Sequence, residues 1–486
     1  MVFTDLLFLF GFLPLTWAVY AFWIRKTRLV HWYLWIVSLF FYSFGSLRSL
    51  FWLLAFLGFN FILQYVMGLL VLKKAHQKSR KENQRTKGPP PFQKKPQPKD
   101  TSYWLLLIGV MVDVGLLFVF KYFGPWFQGL FPWSKGLASM MPFGLSFYTF
   151  SCLSCLFDVY RQKKTYESSF VRFGLFAAFF GWVNMGPIAN YAKLKDQIVH
   201  PKYSRAQCAQ GMTLFIQGLF RKVVLADNLA LVVTSLAHDF TWVAQVAYGF
   251  AYFLQLYFDF AGYSRMARGC ACLFGFDIPK NFDLPLSALS IQDFWRRWHI
   301  SLTSWFREYV YIPLGGNRVT NLIWMRNLFC VWLLTGLWHG PSSAYLAWGL
   351  YQALLIVLEK WVWKGTLQKL SKWIRHGYVL ILELFGMALF SAPNIGMGFW
   401  RIGHYFGLGL TGFWNAGTLF WVSNMGIYFV LGAWLAFGFS KRFSQAFFKN
   451  LKHWWAWQIL GYLAMLIVCL IFLISASSQT FLYAEF

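Results

Sequence analysis

Apolar runs of about 20 residues recur along this chain from Leu6 to Ile474, and nothing else in the sequence limits its fold so strongly. As an α-helix, a run of roughly 20 apolar residues rises through the hydrocarbon core of a bilayer. Only helices and closed barrels can cross that core, because every backbone group must find its partner inside the protein. The alternating pattern of a membrane barrel strand is missing. Length alone, 486 residues, would suggest about three globular domains. Composition overrides that prior, since charged residues make up 13% of the chain against roughly 25% in ordinary soluble domains. The expected fold is an all-α polytopic membrane protein, read as a single membrane domain over residues 1–486.

The hydrophobic pattern predicts spans near 6–23, 31–46, 50–72, 103–122, 141–158, 170–188, 210–226, 241–262, 322–338, 343–361, 377–394, 416–438 and 455–475. Met1-Val-Phe-Thr-Asp5 has no basic region ahead of its apolar run, so it predicts an uncleaved first span. Lys and Arg number 44 against 17 Asp and Glu, a formal net charge of +27. In a soluble chain this would suggest nucleic acid. Here the bases cluster in short loops and span ends, so anionic headgroups account for them and no nucleic-acid partner is expected. Arg25, Lys26 and Arg28, the stretch from Lys73 to Lys99, and Arg161, Lys163 and Lys164 fall on one side if the early spans alternate. That side should be cytoplasmic, with the N-terminus periplasmic. Residues 73–101 predict a basic, proline-rich cytoplasmic loop of extended chain. The seven cysteines form no secreted disulfide pattern, and Cys152-x-x-Cys155 predicts small-residue packing.

Signatures of hydrolases, zinc enzymes and P-loops are absent, and no metal is expected. The informative block runs from Asp293 to Arg318, within a region over 286–340 read as an amphipathic helix and catalytic core. Phe294, Trp298, Leu302, Trp305 and Tyr309 form an apolar stripe at spacings of three and four, flanked by Asp293, Arg297, Ser301, Ser304 and Glu308. This predicts one amphipathic helix ending before Pro313, lying in the interface or lining a polar cavity. His299 falls on a shoulder of the stripe. About 40 residues on, Leu337-Trp-His-Gly340 closes an apolar run, and a histidine there is a candidate functional group because a buried imidazole needs partners. Asp259 and Tyr263 lie in apolar surroundings, where Asp259 could orient a histidine, pair with an arginine, or form a structural ion pair. Asp113, Glu359 and Glu383 are more isolated acids.

At these residues the sequence resembles the membrane-bound O-acyltransferase family. The two segments Phe294–Arg318 and Thr335–Gly340 carry the resemblance in combination. Asp259-Phe-Ala-Gly-Tyr-Ser264, Asn281-Phe282 and Pro142-x-Gly-x-Ser-Phe-Tyr-Thr-Phe150 add to it. Leu314-Gly-Gly-Asn-Arg318 is closer to the bacterial polysaccharide O-acetylation branch, which acts on alginate or peptidoglycan, than to the D-alanyl-transfer branch. The resemblance implies a ring of about 11–13 transmembrane or re-entrant helices around a central tunnel, with His339 as the catalytic histidine and His299 as the second histidine of the site. It also implies acetyl-CoA as a donor substrate, with no permanently bound cofactor, and a separate extracytoplasmic acetyltransferase as partner. One departure stands out. Branch relatives often carry an acid after Gly262-Tyr-Ser264, where this chain has Arg265 and then Arg268. Two bases there could hold a phosphate, pair with Asp259, or alter the acceptor side.

Acyl transfer to a hydroxyl needs a base for its proton and donors for the developing oxyanion. His339 is the candidate base, while His299, Trp298 or Asn317 could orient groups or donate hydrogen bonds. Arg296, Arg297, Arg307 and Arg318 could attract the phosphates of coenzyme A. The expected function is an inner-membrane acyltransferase moving acetyl from cytoplasmic acetyl-CoA toward a cell-envelope polysaccharide. A transporter or channel using the same buried polar residues is a reading from another class, as is an assembly scaffold. D-alanyl or other acyl transfer is a further alternative.

Overall fold

The computed structural model describes residues 1–83, 100–127, 130–131, 136, 140–161, 166–439 and 454–475. Among these, helices account for the regular structure and no β-strand forms; one isolated bridge joins Thr241 to Gly412. Six helices are long and apolar enough to cross a bilayer: Leu7–Ile24, Leu47–Lys74, Thr101–Phe123, Lys372–Phe390, Ala416–Ala436 and Trp455–Ser475. Val30–Ser43 and Leu145–Tyr160 are shorter apolar helices. The chain is thus an all-α, multi-pass membrane protein. Other helices reach span length but carry charge inside the run. Trp242–Leu273 contains Asp259, Arg265 and Arg268, and the helix from Arg205 to Leu236 passes through a wide π-turn at Arg221–Ala226.

The chain divides into two units. The first takes in residues 7–205 with 274–278, and the second residues 2–6, 206–273 and 279–486. In the first unit an aromatic core forms around Phe179 and Phe180, both fully buried, which pack with Phe274 and Phe276. Two expectations change here. The predicted span over 170–188 is a nine-residue helix, Phe170–Ala178, followed by non-helical chain. Phe179 turns extended, and Trp182 donates its indole N–H back to the Phe176 carbonyl at 3.0 Å, satisfying an oxygen the broken helix exposes. Residues 179–189 are all buried, the condition under which irregular backbone is tolerated at membrane depth. Secondly, the basic stretch starting at Lys73 opens as a continuation of the helix Leu47–Asn83, so its first residues are helical and not extended. Residues 84–99, with the prolines, lie outside the described residues. Cys152 and Cys155 are buried, unpaired thiols on Leu145–Tyr160.

In the second unit, Asn321–His339 and Ser343–Leu358 pack face to face. Their approach is close because glycine stands at each crossing point. A Cβ on Gly336 would lie 2.5 Å from the Tyr345 carbonyl oxygen, and one on Gly349 2.4 Å from that of Trp332. This contact sets the height at which the last residue of the first helix, His339, meets the second.

Candidate active site

The block carrying the first histidine is not one helix. Ile291–Arg297 stops at Trp298, whose backbone is extended (φ −101°, ψ 131°), and Ile300–Phe306 restarts after His299. His299 itself takes the left-handed conformation (φ 43°, ψ 53°), which costs a side-chain-bearing residue roughly 1–2 kcal/mol. Periodicity could not show this break, because the apolar stripe survives it: Phe294, Trp298, Leu302, Trp305 and Tyr309 are all buried. What holds the break is Asn281. Its side-chain oxygen accepts from the Ser301 backbone N–H at 3.0 Å and the Ser301 hydroxyl at 2.9 Å, and stands 3.2 Å from His299 Nδ1. Its own carbonyl accepts from the Ile300 N–H at 2.9 Å. One buried amide therefore ties the restarted helix and the imidazole together.

The first half of the block is anchored separately. The Glu359 carboxylate accepts from the backbone N–H of Ile291 (2.6 Å) and of Gln292 (3.0 Å) and from the Tyr378 hydroxyl (3.2 Å). Carboxylate at a helix N-terminus satisfies donors that the helix leaves open and suits its dipole. A step further along, Trp295 donates to Gln352 Oε1 at 3.0 Å, and Gln352 donates to Glu383 Oε2 at 3.0 Å. The two acids that look isolated in sequence are thus fastenings for the segment that ends at His299. In the first unit Asp113 likewise has a partner, accepting from Asn60 at 2.9 Å.

His339 closes Asn321–His339 and is 6% exposed; His299 is 2% exposed. The indole of Trp338 faces both, with ring centroids 4.6 Å from His339 and 6.1 Å from His299. Around His339 stand Phe390 (4.9 Å, 87°), Trp348 (5.2 Å, 87°) and Tyr345 (5.8 Å). Phe260 meets His299 edge-on at 4.7 Å and 85°. Trp298 stacks on Phe294 and meets Phe282 edge-on at 5.1 Å. The result is a pair of imidazoles in an aromatic-walled site, where water is scarce and any hydrogen bond to a reacting group is strengthened.

The remaining candidates are placed elsewhere. Arg296, Arg307, Asn317 and Arg318 are exposed. Arg297 pairs with Asp293 at 3.0 Å, one helical turn away. Of the roles open to Asp259, the structure shows a structural ion pair, made with a lysine. Lys222 reaches it at 2.7 Å and reaches Asp227 at 2.8 Å, a buried three-charge cluster. Lys222 was legible only as a charge inside an apolar run, a signal the span reading of 210–226 passed over. Tyr263 is buried and stacks on Phe3 at 4.8 Å. Of the other histidines, His31, His376 and His404 lie against backbone carbonyls at 2.7, 3.0 and 2.7 Å. Among the described residues no three or more His, Cys, Asp or Glu side chains gather as metal ligands would.

The paired histidines and the break before the second helix sit inside the segment over which the chain matches a family model. Residues 3–398 match that of the membrane-bound O-acyltransferases. The chain belongs to this family. It is an acyltransferase of the multi-pass membrane kind. It is 35% identical over 406 residues to a probable alginate O-acetylase, AlgI, of Pseudomonas syringae pv. tomato, covering 81% of this chain and 73% of that relative. A peptidoglycan O-acetyltransferase of Helicobacter pylori is 31% identical over 401 residues, 74% of this chain and 70% of that one. Identity falls to 28% over 272 residues for a teichoic acid D-alanyltransferase of Bacillus subtilis, 51% of this chain and 68% of the relative. Other alginate O-acetylases match over about three fifths of their own length.

Proposed function

We propose that this acyltransferase takes acetyl from cytoplasmic acetyl-CoA and passes it across the bacterial inner membrane for O-acetylation of a cell-envelope polysaccharide. The N-terminus is periplasmic in this reading, and a separate extracytoplasmic acetyltransferase receives the group. The acceptor polymer is alginate-like or peptidoglycan, the substrates named for the relatives of higher identity. The observation that carries the reading is the shared Trp338 indole, which brings His299 and His339 into one buried aromatic site in a chain of this family.

In this mechanism His339 is neutral and acts as general base. It takes the proton of an acceptor hydroxyl as that oxygen attacks the thioester carbonyl carbon. The C–O bond forms, the C–S bond breaks, and the proton passes from the imidazole to the leaving thiolate to give free coenzyme A. His299, held by Asn281, serves as the second polar group, oriented toward the developing oxyanion. The aromatic walls exclude water, which would otherwise compete as acceptor.

The test uses purified protein in nanodiscs with radiolabelled acetyl-CoA and candidate acceptors and partners, comparing the native chain with His339→Ala and His299→Ala. Coenzyme A release that depends on His339 is the expected result. Full release by His339→Ala would overturn the role of base. Absence of release under every condition, together with solute flux across vesicles, would favour a transporter.

A further inference from the structure

The second unit holds a group of charges that the acyl-transfer reading does not use. The helix from Arg205 and the long helix Trp242–Leu273 run antiparallel in contact, as the pairs Gly211 with Gly269 and Gly218 with Gly262 show. At the second pair the backbones almost touch. A Cβ on Gly218 would lie 2.6 Å from the Gly262 carbonyl oxygen, and one on Gly262 would lie 2.8 Å from that of Gly218 and 3.3 Å from Arg221 Cβ. Three residues past each glycine stands an arginine, Arg221 on one helix and Arg265 on the other. An offset of three residues keeps each on the face of its own glycine, so both belong to the flank of one crossing.

The side chains confirm the grouping. Arg221 donates through one guanidinium nitrogen to the Gln217 carbonyl at 2.8 Å, folding back along its helix toward the crossing. Gln217 donates its amide to the Tyr462 hydroxyl at 3.0 Å, from the helix Trp454–Ser475. With that oxygen accepting, the Tyr462 proton is free to point away from Gln217. The charges and phenols acting on Arg221 are Arg265, Tyr257 and Tyr462, and those acting on Arg265 are Tyr257, Arg268 and Tyr462. No carboxylate is among them. The nearest acids in sequence, Asp227 and Asp259, are taken by Lys222.

Two guanidiniums that act on one another in an apolar helical layer repel, and each is costly without a counter-charge. Arginine forks match the oxygens of phosphate in pairs, and the two phenols add neutral donors. We infer that Arg221 and Arg265, with Tyr257 and Tyr462, form a binding site for a phosphate-bearing group, whose source is either an anionic lipid headgroup or coenzyme A. The site borders the histidine pair through Tyr257, whose ring lies 5.9 Å from that of Trp298, but the binding measurement needs no turnover, so this inference and the acyl-transfer reading can fail separately.

The experiment measures two probes on full-length protein, native and Arg221→Gln/Arg265→Gln. One arm quantifies phosphatidylglycerol retained after exchange into phospholipid-free detergent. The other measures coenzyme A binding by equilibrium dialysis. The expected result is a loss of about tenfold or more in one arm, as removal of charge-assisted hydrogen bonds would give. Loss confined to phosphatidylglycerol assigns the site to lipid, and loss confined to coenzyme A assigns it to the soluble ligand. A native chain that holds neither probe, or a variant that holds both as well as the native chain, overturns the site. Should the double variant not fold, the unchanged chain is treated with phenylglyoxal, an arginine-specific reagent, with and without inorganic pyrophosphate. Protection of the peptides carrying Arg221 and Arg265 supports the site, and equal labelling of both overturns it.

Discussion

The two histidines of the site reach it by different physical routes. His339 is the last residue of a regular helix, Asn321–His339, and its position follows from close helix packing through Gly336 and Gly349. Aromatic faces and edges surround it, and no unusual backbone is required. His299 sits in a break between two seven-residue helices, in a left-handed conformation that only tertiary hydrogen bonds sustain. Asn281 supplies those bonds, and Glu359 and Gln352 fasten the helix that precedes the break. One histidine is placed by shape, the other by polar ties that oppose local strain. Strain of this sort persists where the surroundings over-determine it, and it tends to mark sites that need fixed geometry.

The largest effect is expected at the histidine placed by shape. His339→Ala should lower coenzyme A release by about 100- to 10,000-fold, the range for a lost general base, with the protein still monodisperse by size exclusion. An equal loss in His299→Ala would remove the distinction between base and orienting group. Next comes Asn281→Ala, which deletes the tie and keeps both imidazoles. Turnover should fall by about 10- to 100-fold from misplacement of His299, with substrate KM changing less than kcat. An unchanged kcat would show that the tie serves folding alone.

A smaller effect separates strain from chemistry. His299→Gly and His299→Ala should be equally poor catalysts. The glycine variant, which adopts positive φ without penalty, should be more stable than the alanine variant by roughly 1 kcal/mol in denaturant titrations. Equal stabilities would mean the break relaxes once the imidazole is gone. The smallest effect is expected well away from either histidine, at the loop carboxylate Asp239. Burial acts to raise its pKa, but hydrogen bonds from Thr418, Thr241 and Asn415 outweigh it and hold Asp239 below the usual carboxylate range. A depressed folded-state value means the stabilisation is present above the ordinary carboxylate pKa and fades as pH falls through the folded one. Native protein should therefore lose more thermal stability on acidification below about pH 4 than Asp239→Asn, while the contrast between the two histidine variants stays as it was.

The candidate histidines were legible in the sequence alone. His339 and His299 stand out as imidazoles in a strongly apolar chain, and Trp298, the neighbour of His299, is buried with it. The exposed Arg296, Arg307, Asn317 and Arg318 share their block but not the burial of the histidine pair. Residue type and spacing reveal candidates, and they say little about which way a loop carries them. Asn281 appeared only as part of a familiar segment, and its role as a tie depends on contacts 18 and 20 residues away. Glu359 and Glu383 looked solitary because their partners lie 68 and 31 residues off.

The sequence by itself determined that the chain is helical and crosses a membrane, because the cost of unpaired backbone in hydrocarbon leaves few alternatives to apolar runs of this length. It also marked the two histidines as candidates. Only the tertiary structure decided where helices stop: after Ala178, where Trp182 takes up a freed carbonyl, and at His299, where Asn281 does the holding. It alone also assigned Asp259 to Lys222. The physical reason is common to all three. Hydropathy and periodicity sum over neighbours in the chain, whereas a helix break or a buried charge is stabilised by single polar contacts made from elsewhere in the fold.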